Sequence, residues 1–351
     1  MKEKILITGG CGYIGSHTCL KLLEDSYEVV VLDSLENSSY ETINKLKIIG
    51  KLNNKDYSNN LKFYKGDLRD KSLIRRVFKD AKSSGNPIKS VIHFAGLKSV
   101  SESVEKPLLY WDKNLISTIY LLDIMQEFSC YEIIFSSSAS VYGNQTELLI
   151  NESFQTNPTN TYANTKLTIE ILLRDLFNSR KNDFKIVILR YFNPVGAHTS
   201  GLIGENPAGI PNNLFPLICN VGLGLKEYLN IYGKDWETHD GTCIRDYIHI
   251  EDLAEAHFLS AKLMKKNFSK LLIINIGTAK GKSVLDVLNT FSRVNNCNIP
   301  YKFANRRDGD VASLIADNST AKKILCWEPK FSFEDMCKDA WKWSKLINKG
   351  K

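Results

Sequence analysis

The sequence predicts an α/β protein, a doubly wound parallel sheet carrying a smaller mixed α/β cap. Three observations lead there. Short apolar, β-rich runs alternate with longer amphipathic stretches through the first half of the chain. A run of glycines separates the first strand from the first helix. After Asn193-Pro194 the texture changes to Gly, Pro and Asn with little periodicity. Strands that are apolar on both faces and alternate with helices imply a parallel sheet covered on each side.

In order, strands are expected at 5–8, 29–32, 61–64, 91–94, 133–136 and 186–191, with helices over 15–24, 71–81, 108–128 and 162–179. Beyond residue 195, short strands at 227–232 and 272–276 and helices at 283–294 and 334–347 build the cap. This division assigns residues 1–194 and 245–270 to the dinucleotide-binding sheet domain, and 195–244 and 271–351 to the cap. The polar stretch 50–60 reads as an exposed loop.

Composition narrows the function classes. The 351 residues are 43% hydrophobic and 24% charged, an ordinary enzyme-like balance with a sizeable core. The net charge of +7 comes from scattered lysines. Without a basic block interleaved with aromatics, nucleic acid is not an expected partner. The eight cysteines form no CxxC pair and no ligand-like cluster, so they read as reduced thiols and no metal is expected. No run approaches eighteen apolar residues, and the chain enters its first strand within a few residues. Neither a membrane span nor a signal peptide is expected, and the location reads as cytoplasmic.

The first strand runs into Thr8-Gly9-Gly10-Cys11-Gly12-Tyr13-Ile14-Gly15. Glycines at 9, 12 and 15 let the backbone turn tightly, approach a pyrophosphate and present helix N-terminal amides to its charge. Asp33 ends the second strand, eighteen positions after Gly15. A carboxylate there accepts hydrogen bonds from an adenosine ribose and repels a 2′-phosphate, which favours NAD over NADP. Asp67, after a third strand, is a candidate for the adenine edge.

Tyr162 and Lys166 are four positions apart on a predicted helix and share a face. An unperturbed phenol, with a pKa of about 10, is a poor base at neutral pH. A neighbouring ammonium, helped by a positive nicotinamide ring, stabilises the phenolate. The serine-rich segment Ser136-Ser137-Ser138-Ala139-Ser140 leaves the end of a predicted strand, where α/β sheets carry ligand chemistry. Ser138 is placed to hydrogen-bond the same substrate hydroxyl. Together these motifs point to nicotinamide chemistry on an alcohol.

The segments 9–17, 93–98, 136–143, 190–198, 210–214 and 245–249 resemble those of the UDP-glucose 4-epimerases, members of the extended short-chain dehydrogenase/reductases with a Rossmann-type fold. The resemblance runs from about residue 4 to the last helix. It implies NAD-dependent interconversion of UDP-galactose and UDP-glucose through a transient 4-keto sugar. Tyr162 would take the proton from the 4-hydroxyl, Ser138 would position that hydroxyl, and Lys166 would hold the nicotinamide ribose and tune Tyr162. The hydride at carbon 4 would pass to NAD and return on the other face.

The same resemblance implies cofactor contacts from Tyr13, Ile14, Asn37, Asp67, Leu68, Phe94, Ala95, Lys98, Asn114, Ser136 and Tyr191, beside the three glycines and Asp33. It implies substrate contacts from Lys98, Asn193, Asn212, Asn213, Leu214, Asn230, Tyr232, Arg245, Arg307, Asp310 and Leu314. Arginine suits phosphate because it donates bidentately. His93, His198 and His249 fall in matching segments and read as structural. A homodimer through the helices at 108–128 and 162–179 is also implied.

Departures from the family pattern are mostly flanking: Thr161 for proline, Ala163 for glycine, Ser140 for threonine and Ser34 for asparagine. Leu314 matters more, because in this family the position limits sugar size, with Tyr restricting it. Leucine is intermediate, so acceptance of UDP-N-acetylhexosamines is expected. The 4,6-dehydratases of this fold need an added Asp-Glu pair, which Ser138-Ala139-Ser140 lacks. Regulators that only bind a dinucleotide lose the tyrosine or lysine, and both are present here.

Overall fold

In the computed structural model, which describes residues 2–349 except 146, 148, 180–182, 208, 210, 212, 267–269, 308 and 309, seven parallel strands make the central sheet. In chain order the strands are β1 (Lys4–Thr8), β2 (Glu28–Asp33), β3 (Leu61–Lys65), β4 (Ile88–His93), β5 (Glu132–Ser138), β6 (Lys185–Tyr191), β7 (Asn193–Val195), β8 (Leu229–Tyr232), β9 (Ile244–His249), β10 (Leu271–Ile276), β11 (Gly281–Ser283), β12 (Tyr301–Ala304) and β13 (Ser313–Leu314). The large sheet runs β10-β6-β5-β4-β1-β2-β3. All its neighbours are parallel. Since β1 lies between β2 and β4, the connections wind outward in opposite directions from it. That reversal opens a crevice at the carboxyl ends of β1 and β4.

The main helices are α1 (Tyr13–Glu24), α2 (Glu41–Leu52), α3 (Lys71–Ser83), α4 (Val100–Glu105), α5 (Pro107–Tyr110), α6 (Ser117–Glu127), α7 (Thr161–Ser179), α8 (Leu214–Gly222), α9 (Ile250–Met264), α10 (Val284–Asn295), α11 (Ser319–Leu325) and α12 (Phe333–Ile347). Successive residues of the strands feed opposite layers, as the pleat requires. Ile5, Ile7, Val29 and Val31 pack with Leu20, Leu46 and Leu253 of α1, α2 and α9. Leu6, Val30 and Leu32 pack with Ile74, Leu121 and Ile169 of α3, α6 and α7. The sheet is therefore sandwiched between two helix layers. A third core, including Phe215, Tyr247, Phe291 and Met336, holds the cap.

Several elements differ from the sequence expectation. The second segment of the expected cap begins at 271, yet β10 hydrogen-bonds alongside β6 as the edge of the large sheet. Conversely β9 belongs to a four-stranded sheet with β7, β11 and β13. The chain passes from the large sheet to the small one after β6 and again after β10, and composition carries no mark of that. The expected helix over 108–128 is broken: Trp111–Ile116 winds as a π-helix between α5 and α6. Such wide turns often mark functional positions.

The stretch 50–60 is not simply an exposed loop. It begins as the end of α2, and Tyr57 is buried against Gly50, where an added Cβ would come within 2.6 Å of the tyrosine ring. Helix α2 itself, with Ile43, Leu46 and Ile49 buried, is absent from the sequence expectation.

Candidate active site

The crevice at the switch point is a cleft floored by the glycine turn. Gly9 adopts φ +71°, and a Cβ there would lie 2.8 Å from the Ala95 backbone nitrogen. At Gly15 a Cβ would meet the Gly9 carbonyl at 2.3 Å. Both positions therefore require glycine, and the turn packs against the loop after β4. Gly12 precedes α1 in an extended conformation, and no side chain caps that helix end. Its amides face a cleft lined by Gly9, Gly12, Tyr13, Ile14 and Gly15. This is a fitting seat for a diphosphate.

Asp33 closes one side. Its Oδ2 accepts from the Cys11 amide at 2.9 Å, and its Oδ1 accepts from Leu35 N at 2.9 Å and Ser38 Oγ at 2.8 Å. The carboxylate is thus aimed by its own loop. Asn37, Asp67 and Leu68 line the same end. Asp67 accepts from Arg69 and from Lys113 at 3.0 Å, and the Arg69 guanidinium holds its carboxyl well below the usual range, with Lys113 adding to the effect. Phe94, Ala95 and Lys98 form the opposite wall.

The reacting groups enter from β5 and α7. Ser136, Tyr162, Lys166 and Tyr191 line the cleft. Lys166 Nζ donates to the Ser136 carbonyl at 2.8 Å, and Ser136 Oγ lies 2.6 Å from Tyr191 Oη. Burial pulls the Lys166 ammonium down to about 8, with Glu170 opposing. Burial pushes the Tyr162 phenol up to about 12, and a hydrogen bond with Ser138 pulls it back. Ser138 is in turn held by Ser140, whose Oγ donates to it at 2.9 Å. In this protein-only environment the phenol is a weak base, so additional positive charge in the cleft has a large effect on it.

Asn114 sits outside the cleft lining. It is 2% exposed; its Oδ1 accepts from Leu97 N at 2.7 Å, while Nδ2 donates to Leu97 O at 3.1 Å and Thr165 Oγ1 at 3.0 Å. In this geometry it braces the loop behind Lys98 against α7. His93 is likewise committed to Thr8 and Thr118, at 2.7 and 2.9 Å.

The expected substrate residues fall into two groups. Arg245, Arg307 and Asp310 meet: Asp310 takes both Arg307 contacts at 3.3 Å, and Arg245 lies 3.6 Å away. Arg245 also donates to Ile244 O and Val311 O, at 2.9 and 2.7 Å. The Arg307 guanidinium stands 5.2 Å from the Tyr232 ring centroid. Asn230 and Tyr232 share the exposed face of β8.

The second group surrounds Asn213, which precedes Leu214 at the start of α8 and donates to Glu205 at 2.7 Å. Asn193 lies in β7. Leu314 packs on the small core of Ala139, Val141, Tyr142 and Phe192, behind the serine segment. Asn212 lies outside the described residues.

Sequence reasoning missed Glu205 and Lys113. Glu205 comes from the cap, lines the cofactor cleft and receives Lys98 at 2.8 Å. It sits in a stretch without periodicity, so nothing local marks it. Lys113 faces the cleft from the π-helix, which sequence pattern does not reveal. His239, Asp240 and Asp286 gather in the cap, but Ser283 already donates to both acids.

Comparison with known proteins accords with this geometry. The sequence profile of the family described as GDP-mannose 4,6 dehydratase matches residues 6–340. The UDP-glucose 4-epimerase of Bacillus subtilis is 47% identical over 342 residues, spanning 97% of this chain and 96% of that one. The chain belongs to that family and, within it, to the UDP-glucose 4-epimerases. The epimerase of Stenotrophomonas maltophila, solved with NAD and formylated UDP-arabinopyranose, superposes with a TM-score of 0.93 at 39% identity, covering 99% of this chain and 100% of that one. The epimerase of Bifidobacterium longum, solved with NAD+ and UDP, gives 0.90 at 42%, covering 99% of each chain. As expected for an epimerase rather than a dehydratase, the segment Ser138-Ala139-Ser140 carries no carboxylate.

Proposed function

We propose that this chain interconverts UDP-galactose and UDP-glucose at carbon 4, using NAD held in the switch-point cleft. The observation that carries the reading is that Tyr162 and Lys166 together face a glycine-floored dinucleotide cleft, with the Ser138 hydroxyl favouring the phenolate. The residues fit NAD: the glycine turn and uncapped α1 terminus suit the diphosphate, and Asp33 suits an unphosphorylated ribose. NAD, when bound, supplies the redox partner for carbon 4 and a positive charge beside Tyr162.

Tyr162 removes the proton from the sugar 4-hydroxyl, and Ser138 aligns that hydroxyl. The Lys166 ammonium stabilises the phenolate that abstraction requires. When the 4-keto sugar has turned about its pyrophosphate link, carbon 4 is reduced on its opposite face and Tyr162 returns the proton to the 4-oxygen. Turning demands a firm hold on UDP and a loose hold on the sugar. Arg245 and Arg307 take the phosphates, Asp310 the ribose, Asn230 and Tyr232 the uracil region, and Asn193, Asn213 and Leu214 the pyrophosphate end. Leu314 is a permissive wall, which supports turnover of UDP-N-acetylhexosamines as well.

Two further points belong to this reading. The protein acts in the cytoplasm: all eight cysteines are free thiols, and no helix among the described residues is long and apolar enough to cross a membrane. It works as a homodimer through α6 and α7, whose Ile119 and Ile171 are exposed, as is the neighbouring Leu108 at 82%. Chromatography after incubating purified protein with UDP-galactose and no added cofactor tests the activity. UDP-glucose is the expected product. Absence of product, with and without added NAD, contradicts the reading.

A further inference from the structure

We propose that Glu170 is a positioning residue for the Tyr162–Lys166 pair, a buried carboxylate that ties the catalytic helix to β5 and β6 and keeps Lys166 cationic. Glu170 follows Lys166 by four positions on α7, so the two share a face. It is 0% exposed. Its Oε1 accepts from Ser137 Oγ at 2.5 Å, and Arg190 donates to both oxygens, with Nε 3.1 Å from Oε1 and Nη2 2.6 Å from Oε2.

Ser137 lies between Ser136, whose carbonyl receives Lys166, and Ser138, whose hydroxyl favours the Tyr162 phenolate. One carboxylate therefore fixes the helix that carries the base to the strand that carries its partners. Arg190 continues the connection over the Tyr142 ring at 4.9 Å, and Tyr142 Oη donates to Asn275 of β10 at 2.7 Å.

Charge gives the carboxylate a second task. Arg190 is ion-paired with it, and Lys166, one turn earlier on α7, is a second buried cation. The other titratable groups facing this site are His93 from β4, Tyr142, Tyr162 and Tyr191. Burial lowers His93 to about 3 and raises the three tyrosines, so all four stay neutral near pH 7. Glu170 is the anion paired with Arg190, and its charge counters the effect of burial on Lys166. Without it, Lys166 loses its proton at lower pH and the phenol loses its neighbouring charge.

Only the kinetic arm of the test rests on the epimerase reading. Glu170→Gln keeps the shape and removes the charge. Its kcat for UDP-galactose is expected to fall on the order of 10- to 100-fold, with KM unchanged. The basic limb of its pH–kcat profile is expected to move about one unit toward acid. The independent arm follows the Lys166 ε-carbon by NMR in 13C-lysine-labelled protein, its resonance assigned with Lys166→Met. The titration midpoint should fall in Glu170→Gln and stay in place in Ser137→Ala, which removes a bond but no charge.

Lost activity with an unmoved Lys166 midpoint reduces Glu170 to a structural brace and overturns the proposal. If Glu170→Gln does not fold, Glu170→Asp, which withdraws the charge by one methylene, should show a smaller shift of the same sign. An unmoved midpoint there overturns the proposal equally. A parent protein that leaves UDP-galactose unconverted sinks the epimerase reading, and the titration then decides on Glu170 alone.

Discussion

The two ends of the cleft are built differently. At the cofactor end, Asp33, Ser136 and Lys166 are buried, and their polar atoms meet partners within 3 Å. At the cap end, Arg307 is 55% exposed, and among the described residues its ion pair is with Asp310, at 3.3 Å. A buried, satisfied network has one low-energy arrangement, whereas exposed charge pairs are worth little and exchange partners readily. The cofactor end is therefore rigid before any ligand arrives. The cap end is adaptable, because the exposed Arg307 can exchange Asp310 for another anion at little cost. An epimerase needs that asymmetry, because its sugar must turn while its cofactor stays.

Breaking the rigid end should have the largest effect. Tyr162→Phe is expected to lower kcat by about 10²- to 10⁴-fold with KM nearly unchanged, as steady-state kinetics would show. Cofactor content after purification should match that of the parent.

Lys166→Met comes next, with opposite effects on activity and stability. Folding lowers the Lys166 pKa from 10.5 to about 8, so the unfolded chain binds more protons between those values. Stability of the cofactor-free protein from this group therefore rises as pH climbs from 8 to 10.5, and below 8 the full penalty applies. Removing the amine should stabilise that protein at pH 7 by roughly 3 kcal/mol while lowering turnover by about 10²-fold. Denaturant melts at pH 7 and pH 10 check this, and the gain should shrink at the higher pH.

The adaptable end should respond more mildly. Arg307→Ala is expected to raise KM for UDP-galactose about tenfold or more and leave kcat and bound cofactor intact, since a charge-assisted bond contributes roughly 1.5–3 kcal/mol. Smallest is Leu314→Tyr, expected to lower UDP-N-acetylgalactosamine turnover about tenfold relative to UDP-galactose. Equal or greater N-acetyl turnover would remove Leu314 as the gate.

The same contrast explains what the sequence made legible. Strands such as Val29-Val30-Val31-Leu32 must be apolar on both faces to sit in a covered parallel sheet, so their pattern is plain. Gly9 and Gly15 leave no room for any other residue, and Tyr162 and Lys166 share a face through helix geometry alone. These are local constraints. Glu205 reaches the cleft through long-range packing, its backbone carbonyl held by Trp343 at 2.8 Å, and leaves no local trace. Glu170 and Arg190 read as ordinary polar residues of a helix and a strand until the fold brings them together. The placement of β10 beside β6, and of β9 in the cap, depends on pairing across the chain rather than on either strand's composition.

The most direct test of a fixed cofactor and a turning sugar uses UDP-galactose deuterated at carbon 4, incubated in ordinary water without added cofactor. The UDP-glucose formed is expected to retain the deuterium at carbon 4, as read by mass spectrometry and NMR. Loss of the label to solvent would contradict a redox step at carbon 4 confined to this cleft.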